Sequence, residues 1–257
     1  MKVHIKYFAS IREAIGLSAE TLETDAPTLA ALRDALIARG GAYSDSLAHG
    51  RVLRMALNQV MCAESAPLTE GAEVAFFPAC HGRLVGVRMN PVHPAMPRVR
   101  VQSADFDLAN EIAELRAGDC RVGAICSFVG TVRDRTAGTA GSISSLELEH
   151  YPGMTEASIE AMIDEAHRRF DIFGARVVHR IGLLQPLDQI VLVAVTSAHR
   201  GQSFQACEFL MDYLKTQAPF WKKEQTPDGA RWVDARVSDD LAMAKWGLNA
   251  PNLPVSG

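Results

Sequence analysis

The run VTSAHRG leads from an apolar strand pattern through His199, Arg200 and Gly201 into a helical one. At a helix start of this kind, backbone N–H groups and the positive end of the dipole converge on one spot, which suits an anion. Arg200 adds a fork of donors. On that feature alone, a surface arginine at a helix start is the commoner explanation; the neighbouring cations shift the balance. Lys215 lies sixteen residues beyond His199, and KTQAPFWKKE then sets Lys222 and Lys223 just after a proline and two aromatics. Lysine at a helix C-terminus answers the dipole and accounts for Lys215, but not for the Pro-Phe-Trp insertion before the next pair. Aromatics beside amines predict a partly dry site, where desolvation lowers an amine's pKa. Arg133, at the end of another apolar strand, joins from a neighbouring edge. Several cations with few acids suit a phosphorylated or otherwise anionic small substrate.

Other chemistries are disfavoured by spacing. His150, His179 and His199 fall at or within strands, but no pair has the HxxxH spacing of metal ligands, so no metal site is expected. No GxSxG, Walker or GxGxxG element is present, which removes the usual hydrolase, nucleotide-phosphate and dinucleotide readings. Cys80 and His81 are adjacent, and neighbours in an extended chain point to opposite sides, so they do not form a nucleophilic pair. The five cysteines form no CxxC, which suggests neither a disulfide framework nor a zinc knuckle. Cys126 and Cys207 are expected to pack as small hydrophobes.

The elements that must carry these residues divide into two groups. The sharpest change of composition is GRLVGVRMNPVHPAMPRV, where Pro91, Pro94 and Pro97 recur every third residue and no helical or strand period survives. This predicts an extended connector over 84–98 between a domain at 1–83 and a second at 99–246, with a Pro/Asn-rich tail at 247–257. In the first domain, VHIKYFA and ETLET read as strands around a helical turn at SIREAIG. Leu29, Leu32, Leu36 and Ile37 then form a helical stripe ending at Gly40–Gly41, and LRMALNQVMC and EVAFFPA supply further strands. Two strands, a helix and two more strands resemble a β-grasp, ubiquitin-like layout. In the second, VRVQSADFD reads as a strand, 107–116 as a short helix and VGAICSFVGTVRD as an apolar strand, followed by a loop over 136–141 and the strand SLELEHY. After Thr155 comes a helix with Ile159, Met162, Ile163, Ala166 and Phe170 on one face. ARVVHRIGLL and QIVLVAVTSAH read as single strands, and the last helix turns Phe204, Cys207, Met211 and Leu214 inward. The whole is α+β.

Bulk properties agree with a cytoplasmic protein. No apolar run reaches the ~18 residues of a membrane span, and the charged start lacks a signal-peptide core. Residues 1–83 hold 8 basic against 9 acidic side chains and the remainder 18 against 21, so neither part is a nucleic-acid platform.

The segments GAICSFVGTVRD, LEHYPGMTE, HRIGLL, SAHR and DYLKTQAPFWKKE together resemble the large subunit of molybdopterin synthase, over residues 99–246. The first 77 or so residues, with IKYFASIREAIGL, LNQ and EVAFFP, are similar to that enzyme's small subunit, a ubiquitin-like sulfur carrier. The resemblance implies a natural fusion of the two, with an α/β-hammerhead catalytic domain. It further implies transfer of two sulfurs from a carrier thiocarboxylate to cyclic pyranopterin monophosphate, forming the dithiolene of molybdopterin without a resident cofactor. The family's pocket residues fall on Phe128, Arg133, His199, Arg200, Lys215 and Lys222. By resemblance Lys215 is the principal catalytic lysine, and Lys222 assists binding or the second transfer. The same resemblance implies that Arg133, His199 and Arg200 hold phosphate and pterin, and that a homodimer lends side chains from a second copy. Two roles stay open for Lys215: a neutral amine accepting protons, or a charged one stabilising developing anions.

The chain departs from the family where the carrier should end in a free Gly-Gly. Gly82 stands for the penultimate glycine, Arg83 for the last, and the chain runs on. An internal peptide carbonyl cannot be a thiocarboxylate. Three readings follow: an active sulfurtransferase served by a separate Gly-Gly carrier protein, a precursor cleaved after Gly82, or a noncatalytic module whose degenerate carrier domain occupies the docking surface.

Overall fold

A computed structural model describes residues 1–78, 97–134, 143–227, 229–233 and 246–247. Residues 84–96 of the proline connector, Gly82, Arg83, the 136–141 loop and nearly all of the tail lie outside the described residues. The chain divides into two compact units, Met1–Gly86 and Val87–Gly257.

The first unit runs β1 (Lys2–Tyr7), α1 (Ala9–Ile15), β2 (Ala19–Glu23), α2 (Leu29–Ile37), α3 (Ala42–Leu47), β3 (Leu53–Leu57), β4 (Val60–Met61) and β5 (Glu73–Pro78). Its sheet has the order β2-β1-β5-β3-β4, with β1 and β5 parallel and the other pairs antiparallel. Alternation in β1 sends Val3, Ile5 and Tyr7 inward, where they meet the α2 stripe of Leu29, Leu32 and Leu36 together with Val74 and Phe76. Thr28 caps α2 by accepting a hydrogen bond from the Ala31 amide. This is the expected ubiquitin-like arrangement with α3 added. The segment forming α3 has only two buried residues, Ser46 and Leu47, and so offers little periodicity to read. It is tied to α2 by buried Arg33, which donates to the carbonyls of Leu47 and Ala48 at 2.8 and 2.7 Å.

The second unit runs β6 (Val99–Gln102), α4 (Leu108–Leu115), β7 (Ala124–Thr131), β8 (Ser145–His150), α5 (Met154–Arg169), β9 (Gly174–Arg180), β10 (Gly182–Leu184), β11 (Gln189–Ser197), α6 (Arg200–Thr216), β12 (Phe220–Thr226) and β13 (Gly229–Val233). One sheet has the order β6-β9-β11-β7 and a second the order β10-β8-β12-β13. In β9 and β11 the side chains alternate between two cores. Val177, Val191, Val193 and Val195 face α5 and α6, whereas Val178, Leu192 and Ala194 face α4. Buried Arg176 and Glu111 pair at 2.8 Å, joining β9 to α4.

Four expectations need correction. ARVVHRIGLL is not one strand: Gly182, at φ +83°, breaks it, so that β9 and β10 belong to different sheets. Phe204 points outward at 60% exposure, while Ser203, Ala206, Cys207, Leu210 and Leu214 are buried on α6. The first strand ends at Gln102, and α5 starts at Met154, before Thr155. The lysine-bearing segment after α6, to which the sequence reading assigned no element, is a strand, β12.

Candidate functional site

Gly123 controls where the strand-to-helix junction lies. Its amide donates to the Ser197 carbonyl at 3.1 Å, and a Cβ there would stand 2.4 Å from the Ala198 carbonyl oxygen. Only glycine lets the start of β7 lie this close to the exit of β11. The Ser197 hydroxyl donates to the His199 carbonyl at 2.8 Å, and His199 is the extended N-cap residue of α6. The first turn of α6 has no acidic side chain, so His199 and Arg200 sit exposed at a positive helix end.

Lys215 and Arg133 lie at the other end of the same layers. Strand β7 runs antiparallel to β11, pairing Ala124 with Ser197 at one end and Thr131 with Gln189 at the other. Arg133 follows Thr131 by two residues. From Arg200 to Lys215, α6 runs back over β11, and at ~1.5 Å per residue it carries Lys215 about 22 Å from Arg200. Eight residues of β7, at ~3.3 Å each, separate Arg133 from the His199 end by more than about 25 Å.

Lys222 belongs with Arg133. In the sheet register it sits opposite Leu148, which packs in one cluster with Val132, the residue before Arg133. The start of β12 is fixed by Thr155, whose hydroxyl accepts from the Tyr151 amide and donates to the Pro219 carbonyl at 3.2 Å. On that strand Phe220 and Lys222 share a face. Phe220 stacks on His179 with ring centroids 3.7 Å apart and planes 16° apart. Burial, with the charge of Lys222 and the neighbouring His150 adding to it, holds the His179 imidazole down to about 3. Burial also lowers His150, against the pull of Glu156, which lies 3.6 Å away.

Phe128 occupies the middle of β7, 41% exposed, over the bed left by Gly130. Among the described residues β7 pairs only with β11, so it forms one edge of its sheet. One chain therefore sets the six positions in separate places. Arg133, Lys215 and Lys222 gather at one end, His199 and Arg200 stand at the other, and Phe128 lies between them. Both lysines are exposed, so the partly dry environment expected for them is not formed by one chain alone.

Residues 101–217 match the MoaE protein family, and residues 5–82 match the ThiS family. The molybdopterin synthase catalytic subunit of Ralstonia nicotianae is 60% identical over 157 residues, which make up 61% of this chain and 88% of that protein. The chain belongs to the molybdopterin synthase catalytic-subunit family. Its counterpart from Vibrio cholerae is 52% identical over 149 residues, 58% of this chain and 97% of that one. Among solved structures, the molybdopterin biosynthesis MoaE protein from Burkholderia ambifaria is 55% identical with a TM-score of 0.52, covering 60% of this chain and all of that one. The molybdopterin synthase structure from Staphylococcus aureus is 31% identical with a TM-score of 0.50, covering 54% of this chain and 98% of that one. Membership of the catalytic-subunit family gives this protein a role in molybdenum cofactor biosynthesis. No described helix is long and apolar enough to cross a membrane.

Sequence reasoning about the family pocket passed over His179 and Phe220. Both stood in view, His179 as one of three strand histidines and Phe220 as an aromatic beside lysines, but their contact joins two sheets and has no local signature.

Proposed function

We propose that the second unit transfers sulfur from a carrier thiocarboxylate to cyclic pyranopterin monophosphate, and that two copies of the chain build each site. Each transfer replaces a carbon–oxygen bond of the substrate by a carbon–sulfur bond and returns the carrier end as a carboxylate. The observation that carries this reading is the splitting of the six family positions between opposite ends of β7 and α6. A two-fold axis near Phe128, pairing the β7 edges of two copies antiparallel, sets Arg133, Lys215 and Lys222 of one copy beside His199 and Arg200 of the other. His199, Arg200 and the α6 N-terminus then hold the phosphate and Phe128 walls the pterin. Arg133 neutralises remaining negative charge, with Lys215 and Lys222 at the reacting carbons. Closing the second copy over the exposed lysines supplies the partial dehydration that one chain lacks.

In this reading residues 1–83 are a carrier-like domain fused through 84–98, and the working sulfur donor is a separate protein with a free Gly-Gly end. The ThiS family match ends at Gly82, after which Arg83 continues the chain. Intact-mass spectrometry of untagged protein separates this from self-supply, because cleavage would release a fragment ending at Gly82.

The composite site is tested by mixing two inactive variants, Lys215→Ala and His199→Ala, under conditions that exchange subunits. Half of the resulting dimers are mixed and each holds one intact site of two, so activity returns to about a quarter of the parent value. A site contained within one chain would give no recovery.

A further inference from the structure

We propose that His179 is a positioning residue for Lys222, its ring forming the floor on which Phe220 lies so that Lys222, two residues further along β12, is held on the pocket face. The inference rests on the sulfur-transfer reading for its consequence, although its geometry stands alone.

His179 belongs to β9 in one sheet and Phe220 to β12 in the other, so the stack is a joint between the two sheets. The ring is anchored from behind: Nδ1 lies 2.8 Å from the Arg180 carbonyl, which can only accept, so Nδ1 carries the hydrogen and donates it. That fixes the tautomer and the ring plane, leaving Nε2 as the unprotonated nitrogen. The charged and titratable groups that act on the ring are Lys222 from β12 and His150 from β8, and His150 is itself drawn toward Glu156 of α5. Burial together with the Lys222 charge keeps His179 neutral, so it places no second positive charge against the amine. Its neighbours Val177 and Val178 show what packing alone selects on this strand. A histidine there burdens the fold with a titratable group, whereas a flat ring with its own anchor orients Phe220 in a way an aliphatic side chain does not.

The experiment compares full-length chains carrying His179→Leu, Phe220→Leu or His179→Phe. The first two remove one partner of the stack and the third keeps a flat ring. The readout is the modification of Lys222 relative to exposed Lys2 by limiting formaldehyde and cyanoborohydride, measured by peptide mass spectrometry. With the stack broken, the Lys222-to-Lys2 ratio shifts by about threefold or more, and kcat for sulfur transfer falls about tenfold with KM within about twofold. His179→Phe keeps the labelling ratio near that of the parent and recovers at least about a third of kcat. A folded His179→Leu or Phe220→Leu chain with the parental ratio overturns the proposal, as does a His179→Phe chain as altered as His179→Leu. An inert parent supplied with thiocarboxylated carrier would instead refute the sulfur-transfer reading, while the labelling ratios would still decide the role of His179.

Discussion

Lowering the pH from 7 to 5 should weaken the second unit through His179. The group is neutral when folded, held down from 6.5 to about 3, and takes up a proton once the chain unfolds. Its stability contribution is therefore complete above about pH 6.5 and is lost progressively as the pH falls toward 3. One pH unit of unequal protonation corresponds to about 1.4 kcal/mol, so His179 alone removes about 2 kcal/mol by pH 5. His150 and His167, both lowered by burial, act in the same direction. The assay is urea unfolding followed by tryptophan fluorescence at fixed protein concentration. Trp221, Trp232 and Trp246 are the chain's three tryptophans, so the signal reports the second unit. With a slope of about 2 kcal/mol per molar urea, His179 accounts for about 1 M of the fall in midpoint. In His179→Phe that share disappears while the contributions of His150 and His167 remain. Equal acid sensitivity in parent and variant would refute the reasoning, because it would mean that His179 titrates normally in the folded chain.

Lys215→Ala should lower sulfur transfer by about a hundredfold or more with the urea midpoint unchanged, since the residue is exposed; retained turnover would remove it from the reaction. Gly123→Ala forces a methyl against the Ala198 backbone and should cost about 2 kcal/mol in the same unfolding assay, together with weaker substrate binding through displaced His199. Glu111→Ala leaves buried Arg176 with half-exposed Glu114 and a long 3.5 Å bond to the backbone carbonyl of residue 111, and should cost about 3 kcal/mol; a loss within error of zero would show that the α4 contact is dispensable.

Much of the scaffold is legible in the sequence because local pattern and tertiary demand agree. The stripe from Leu29 to Ile37 marks α2 and stops at Gly40–Gly41, and the alternation in VHIKY marks β1. Legibility fails where a chain changes sheets without changing its hydropathy. Through RVVHRIGLL the apolar residues continue, and only Gly182 with its positive φ signals the break. The strand β12 is masked for a related reason: Trp221 and Glu224 are buried while Lys222 and Gln225 are exposed, so its burial does not alternate. The cations around α6 are identifiable from type and spacing. Type and spacing suggest one cluster, but the sixteen residues from Arg200 to Lys215 form one continuous helix, whose rise holds its two ends too far apart for a single small ligand.

The edge position of β7 also bears on how the protein survives its own synthesis. AICSFVGT is an uncharged segment, with Ile125 and Phe128 both exposed on a strand that lacks a second neighbour among the described residues. Such an edge is a template for any other extended chain, and it carries no lysine or proline to discourage the wrong one. Covering that edge with a second copy, as proposed above, would also shield it from the wrong partner. In that reading, chains made faster than they find one another are exposed to misassembly, and a charge at position 128 protects the isolated subunit at the expense of the pair.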